Sequence, residues 1–393
     1  MQPSANAATV VDMKAIIELP YIGNEQVSDL LLTPTSISII GTTEAATSSY
    51  ISGTLIGKSD GFISTFSKTG SPLWNLRLGG LNSEIASSAA LDADGSIWIV
   101  GASAQAANTT PSPTPTKVLN PDNVILESIP GTAGPLNKLN IWQVSATGQL
   151  LNSFETQTAS VINPQKIIVT PAGLAIFGDL YEKATVKGFF VSVSKAGIFT
   201  NPIKYGVKLT QISSAILNSD GSFTAVGKSS DLLLKVKPLS KSDAISIKIS
   251  SKGVLQQVGR ATLKSTSRTW DSISAGLLQG GLVNYSKKFE AAITKYSAIG
   301  KPVWNSRYLA KSGALVASGT NSWATFISAG AITGIKTWKP KTPTTVVLQL
   351  GKKGEVITAH SLTGMPVAIG RNNEIGTAVI TDSGTSFGLV LIN

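Results

Sequence analysis

The chain has 393 residues, a formal net charge of +11 and no cysteine; 42% of it is hydrophobic and only 14% is charged. That is too apolar for disorder, and the missing cysteines exclude disulfides, thiolate metal sites and a thiol nucleophile. The positive balance favours anionic partners. Basic residues never run five or six in a row, which disfavours nucleic acid, and no stretch reaches the roughly 18 apolar residues of a membrane span.

The chain opens Met1-Gln2-Pro3-Ser4-Ala5-Asn6-Ala7-Ala8, and Ala5-Asn6-Ala7 has the small-x-small form of a signal-peptidase site. Residues 1–8 are therefore expected to be a residual export signal or flexible tail, and the protein to be exported, either extracellular or associated with the cell envelope. The charged and apolar regions of a full signal do not precede that site. From Val10 to Leu19 the sequence reads as a strand with no repeat unit before it.

Six small turns ending in Gly then follow a β-type run and precede a second apolar or aromatic run. Their glycines are Gly70, Gly148, Gly197, Gly253, Gly300 and Gly354, spaced by subtraction at 78, 49, 56, 47 and 54 residues. Periods near 50 residues mark propellers and related arrays. Each unit is read as four strands, a to d. Strand b is clearest: Ser36–Gly41, Ser96–Gly101, Gly173–Gly178 and Ser222–Gly227 are β-branched or aromatic runs closing on Gly. That glycine is expected where backbones crowd near an axis. Asp94-Gly95 and Asp220-Gly221 supply tight a–b turns. Strand c alternates, as in Ile245-Ser246-Ile247-Lys248-Ile249, which marks one buried face. Strand d is nearly repeated in Pro72-Leu73-Trp74-Asn75-Leu76-Arg77 and Pro302-Val303-Trp304-Asn305-Ser306-Arg307.

The last residues, Gly388 to Asn393, read as a seventh strand c with no strand d after it. Joining them to the N-terminal strand completes a seventh blade and removes the open edge. The expected fold is all-β: a seven-bladed β-propeller of four-stranded antiparallel blades, one domain over residues 9–393, with a large b–c insertion at 104–137.

The run from Asp60 to Trp74 resembles the repeats of bacterial secreted and surface β-propeller proteins. Thr69-Gly70 with Trp74 four after the Gly is similar to half of the tryptophan-docking motif of quinoprotein-type propellers, which has an acidic residue where this chain has Phe66. The resemblance implies an architecture and no activity.

Four b–c connections look expanded, at 44–60, 104–137, 229–243 and 330–344. Because they emerge on one face, that face is a candidate binding surface; tolerated insertion is the other reading. The loops of blades 4 and 6 are basic. They carry Lys235, Lys237 and Lys241, with Lys228 beside them, and Lys336, Lys339 and Lys341 around Trp338. A ring among ammonium groups suits an anionic sugar. These seven loop residues are the candidate binding set, for a protein partner or an anionic envelope glycan. The remaining tryptophans are read as packing.

The catalytic inventory is thin. His360 is the only histidine, so a His-based metal centre is excluded by count, and no phosphate loop or calcium loop is present. No cofactor or metal is expected. The leading reading is a non-catalytic binding or scaffolding module. The alternative is a propeller hydrolase or lyase acting on polysaccharide with carboxylates at the axial channel; Glu84, Asp179, Asp271 and Glu374 are candidates scattered at strand ends, of which Glu84 and Asp271 are placed to face the axis from strands a.

Overall fold

The computed structural model describes residues 7–104, 135–262 and 266–392. Strands β1 (Val10–Asp12) and β2 (Ile17–Pro20) open the chain. Blade 1 is β3 (Gln26–Leu32), β4 (Ser36–Thr43), β5 (Asp60–Ser67) and β6 (Pro72–Leu78). Blade 2 is β7 (Glu84–Leu91), β8 (Ile97–Ala104), β9 (Leu136–Val144) and β10 (Leu150–Gln157). Blade 3 is β11 (Val161–Thr170), β12 (Gly173–Glu182), β13 (Thr185–Val193) and β14 (Ile203–Tyr205). Blade 4 is β15 (Thr210–Leu217), β16 (Phe223–Ser229), β17 (Asp243–Ile249) and β18 (Leu255–Ala261). Blade 5 is β19 (Ser267–Ser274), β20 (Leu278–Tyr285), β21 (Lys288–Tyr296) and β22 (Pro302–Leu309). Blade 6 is β23 (Leu315–Ser318), β24 (Ser322–Ser328), β25 (Thr344–Leu350) and β26 (Val356–Leu362). Blade 7 is β27 (Met365–Asn372), β28 (Gly376–Asp382) and β29 (Ser386–Ile392), completed by β2. The chain is therefore a seven-bladed β-propeller.

The N-terminal segment divides its work between two blades. β2 pairs antiparallel with β29, Leu19 opposite Phe387, and closes blade 7 as expected. β1 instead lies parallel to β26 and adds a fifth, outermost strand to blade 6. The crossing is fixed by Met13 N–H donating to the Ser361 carbonyl at 3.0 Å and Ile16 N–H to that of Leu389 at 2.8 Å. One short segment thus staples two neighbouring blades.

Among the described residues, buried apolar side chains form seven clusters, one at each seam between blades. The ring closes at the seam of blades 7 and 1, where Leu19, Phe387 and Ile375 meet Leu30, Ile39 and Phe62. Each fully buried side chain of this size contributes about 1.5–3 kcal/mol, so the seams, not the turns, hold the ring.

The glycine that ends strand b has a more specific cause than crowding at the axis. Six of the seven inner strands carry a β-bulge at the same place, between Val27/Asp29, Ala86/Ser88, Pro164/Lys166, Ile212/Ser214, Trp270/Ser272 and Pro366/Ala368. In blades 1 to 5 the strand-b glycine (Gly41, Gly101, Gly178, Gly227 or Gly281) pairs with the residue just before the bulge. A Cβ there would lie 1.9–2.2 Å from the strand-a carbonyl oxygen of Gln26, Ile85, Asn163, Gln211 or Thr269. The bulge bends the inner strand over its neighbour, and only glycine leaves room.

An ion pair recurs within the blades. The residue seven after the turn glycine lies one or two residues before the end of strand d, and it pairs with the first part of strand c or the end of the strand b that precedes it. Arg77 meets Asp60 at 3.2 Å, Lys204 meets Glu182 at 2.5 Å, Arg260 meets Asp243 at 3.5 Å, and Arg307 meets Glu290. In blade 2 the polarity is reversed, with Glu155 on strand d and Lys138 on strand c at 2.6 Å.

Candidate binding face and axial channel

The b–c connections fall into two kinds. Blades 3, 5 and 7 turn tightly through Lys183-Ala184, Ser286-Lys287 and Ser383-Gly384-Thr385, whereas blades 1, 4 and 6 carry the long connections between β4 and β5, β16 and β17, and β24 and β25. Most of the expected blade 2 insertion, 105–134 of the range 104–137, lies outside the described residues.

The strand-d arginines hold two of the long loops from beneath. Arg77 donates to the Ser52 and Ala45 carbonyls at 3.3 and 3.2 Å. Arg260 donates to the Ser229 carbonyl at 3.2 Å, to that of Asp231, and to that of Val236 at 3.4 Å. Asp231 ties the blade 4 loop to the incoming chain. Its carboxylate accepts the N–H groups of Val207, Lys208 and Leu209 at 2.9–3.1 Å and the Thr210 hydroxyl at 2.8 Å. Asp243 accepts from Leu239 N–H and the Ser240 hydroxyl. Buried Leu233 plugs the loop into the seam of blades 3 and 4. Few backbone degrees of freedom are left to this loop.

Its tip is unusual. Leu233 and Val236 bridge a tight turn whose central residues, Leu234 and Lys235, have φ of 43° and 65°. Such a turn favours Asn-Gly, because a left-handed conformation costs a side-chain-bearing residue about 1–2 kcal/mol. Here Leu232, Leu234, Val236 and Leu239 are all exposed, with Leu239 at 74%. Lys235, Lys237 and Lys241 are exposed among them, and none forms an ion pair among the described residues.

The blade 6 loop is built differently. Lys336, Lys339 and Lys341 are exposed, but Ile332 and Ile335 are buried. Trp338 is half-buried against their cluster, and its indole N–H donates to the Ser328 hydroxyl at 3.0 Å. Ala8 bridges this loop, its N–H donating to the Gly334 carbonyl at 2.9 Å and its carbonyl accepting from Lys336 N–H at 3.0 Å. The two basic loops belong to blades 4 and 6, with blade 5 between them, so the seven candidate residues form two separate groups.

The axial channel encloses about 560 Å³. The six bulged residues Ser28, Ser87, Gln165, Ser213, Asp271 and Val367 all line it. Each of blades 1 to 5 contributes polar side chains to its wall, interleaved with apolar ones such as Ile85, Ile216 and Ile273, whereas blades 6 and 7 contribute only apolar ones, among them Leu315, Val316, Val367 and Ile369. The carboxylate of Asp29 in this wall takes the Ser88 hydroxyl at 2.6 Å and Ala89 N–H at 3.1 Å from blade 2, and the Lys166 ammonium at 3.2 Å from blade 3.

The four acidic candidates disperse. Asp271 lines the channel, and burial raises its pKa against an opposing Thr269 hydroxyl and the Lys228 charge. Asp179 is buried behind the wall, where burial pushes its pKa up to about 6 while Ile212 N–H at 2.8 Å and Gln211 oppose. Glu84 does not face the axis. It is buried at the d–a connection, where it accepts Gly80 N–H at 3.1 Å. Glu374 is exposed in the a–b turn of blade 7. His360 sits half-buried on β26, and burial lowers its pKa. No cluster of three metal-ligating side chains occurs among the described residues, and no helix there is long and apolar enough to cross a membrane.

No family model matches the chain, and no curated protein does. Solved structures match the fold. Hydrazine synthase of Kuenenia stuttgartiensis aligns over 100% of this chain and 99% of its own at 9% identity, with a TM-score of 0.51. The WD40 domain of Toxoplasma gondii coronin aligns over 98% of this chain and 87% of its own at 10% identity and TM-score 0.47. A protein of unknown function from Bacteroides caccae aligns over 88% and 86% at 10% identity and TM-score 0.41. Such likeness speaks to architecture alone.

Proposed function

We propose that this propeller is a non-catalytic binding module of the exported or envelope-associated kind, and that its partner docks on the b–c loop of blade 4. The observation that carries the reading is the loop tip. An apolar residue, 49% exposed, and an exposed lysine occupy two consecutive left-handed positions on a loop fixed by Arg260, Asp231 and Asp243. A strained, exposed Leu does nothing for the isolated fold. It gains meaning when a partner covers it, and strain held by a rigid surround is a mark of recognition sites. The lysines around it suit an acidic rim on that partner. Of the two partner classes, a protein fits better than an anionic glycan, because the ring that a sugar would stack on, Trp338, is engaged in packing and in the bond to Ser328.

A polysaccharide hydrolase or lyase draws less support, since the Asp29 and Asp179 carboxylates serve blade-to-blade hydrogen bonds. The test is charge reversal at Lys235, Lys237, Lys339 and Lys341, with capture from envelope fractions as readout. Salt-sensitive capture by the natural protein should fall when the blade 4 pair is reversed and persist when only the blade 6 pair is. Capture unchanged by all four reversals refutes the site.

A further inference from the structure

The seam between blades 4 and 5 is open where the seam between blades 1 and 2 is filled. At the filled seam Trp74, four after the turn glycine of blade 1, packs on Gly148 of the next blade's c–d turn and donates its indole N–H to the Ala146 carbonyl at 3.0 Å. Trp304 packs in the same way on Gly354. Phe154 and Ile203 reach Gly197 and Gly253 from two residues further along strand d. Blade 4 has neither plug. Gln257 stands at the Trp74 position and Gly259 at that of Leu76; across the register, Ser246 replaces Ile63 and Ala261 replaces Leu78. A Cβ on Gly259 would find no atom nearer than 3.5 Å.

The facing wall changes to match. Ile99 and Trp142, a register pair of blade 2, become Gln279 and Thr294 in blade 5. Both are buried, at 1% and 2% exposure; Gln279 Nε2 donates to the Ser246 hydroxyl at 3.0 Å across the seam, yet Gln279 Oε1 and Thr294 Oγ1 have no hydrogen-bond partner among the described residues. An unsatisfied buried polar atom costs about 1–3 kcal/mol, so two together invite a ligand. Between these walls lies a cavity of about 530 Å³, the size of a small-molecule site. It runs from Ala298 and Gly300 on the c–d turn inward to Gln279 and Trp270. Arg268 lies 4.2 Å over the Trp270 ring, and Tyr296 meets it edge-on at 6.3 Å, so this wall is stiff. Ala298 stands at the turn position of Ala146, the acceptor for the Trp74 indole.

We propose that this cavity binds a planar aromatic ring with an N–H on its edge, an indole being the simplest case, in the place that the chain's own tryptophans fill at other seams. The ring lies on Gly300 against Trp270 and Tyr296, and its N–H is taken by Gln279 Oε1 or the Ala298 carbonyl. The mouth is on the side of the a–b and c–d turns, opposite the blade 4 loop; Arg260, which holds that loop, also lines the cavity, so the variants that test this site leave Arg260 in place.

Fluorine NMR of a fluorinated indole, titrated at millimolar concentration against the intact protein, tests the site. The natural protein is expected to broaden and shift the signal. Gln257→Trp supplies the plug from within, and should raise Tm and weaken binding by at least about tenfold. Gln279→Leu restores the apolar wall and should weaken binding with the fold kept. Absence of binding to the natural protein, or full binding to either folded variant, overturns the proposal. N-acetyltryptophanamide and a Gly-Trp-Gly peptide then separate the sources: binding by these as well as by the free ring points to a partner's side chain, and binding by the free ring alone to a small molecule.

Discussion

In the b–c loop of blade 6 the apolar side chains turn inward. Ile332 and Ile335 are buried and Trp338 leans on their cluster, leaving lysines, threonines and small residues at the surface. In the loop of blade 4 a single residue, Leu233, goes in, while Leu232, Leu234, Val236 and Leu239 stay out among the lysines. Both loops are basic, and both bend through a left-handed non-glycine residue, Thr337 in blade 6 and Leu234-Lys235 in blade 4. The difference lies in what holds them. Blade 6 stabilises its loop with its own hydrophobic side chains. Blade 4 uses buried charge beneath the loop, which leaves the apolar tip exposed.

That contrast can be broken first at Arg260. Its removal strands buried Asp243 and three loop carbonyls, so Arg260→Ala should destabilise by about 3–5 kcal/mol, read as a fall in the denaturation midpoint. Trp338→Ala should cost less, about 2–3 kcal/mol, because the ring is only half-buried; a neutral result would mean that blade 6 does not depend on self-packing. Asp179 gives a reference away from both loops. Its pKa of about 6 in the folded state exceeds the ordinary carboxylate value of 3.8. The folded form therefore holds its proton more tightly, and stability is full below the unfolded value and lost as pH rises through 6. Asp179→Asn keeps an oxygen for Ile212 N–H, and should stabilise at pH 8 by at most about 3 kcal/mol, with the gain vanishing near pH 4. A gain independent of pH would contradict the assignment. Smallest is Leu234→Gly, which relieves the left-handed strain and should raise stability by up to about 1 kcal/mol, measured by thermal unfolding.

Most of the ring was legible in the sequence. The turn glycines, the strand-b runs closing on Gly and the orphan strands at the two ends led to seven blades. The bulge was not, because Ser28, Ser87, Gln165, Ser213, Asp271 and Val367, though five of them are polar, form no motif that marks a bulge; what unites them is backbone geometry seen only beside the paired glycine. The split of the N-terminal run was hidden for a similar reason, since Val10–Asp12 and Ile17–Pro20 have the same β character and differ only in which edge they meet. The recurring ion pair left a readable trace in Arg77, Arg260 and Arg307, each seven residues after a turn glycine. So did the open seam, in the break from Trp74 and Trp304 to Gln257. At the candidate site the lysines were readable from charge alone. The exposed leucines were not, because a Leu-Leu-Leu run reads as core until the turn at Leu234-Lys235 is seen.

The central claim is that the blade 4 tip is where a partner sits. Its most direct test is a photo-crosslinking residue at position 234, compared with one at position 198, which is 72% exposed on the opposite face, in cells that make the natural protein. The account expects a discrete crosslinked species from 234 that disappears when Lys235 and Lys237 are reversed to Glu, and none from 198. Equal products from both positions, or a product from 198 alone, would contradict it.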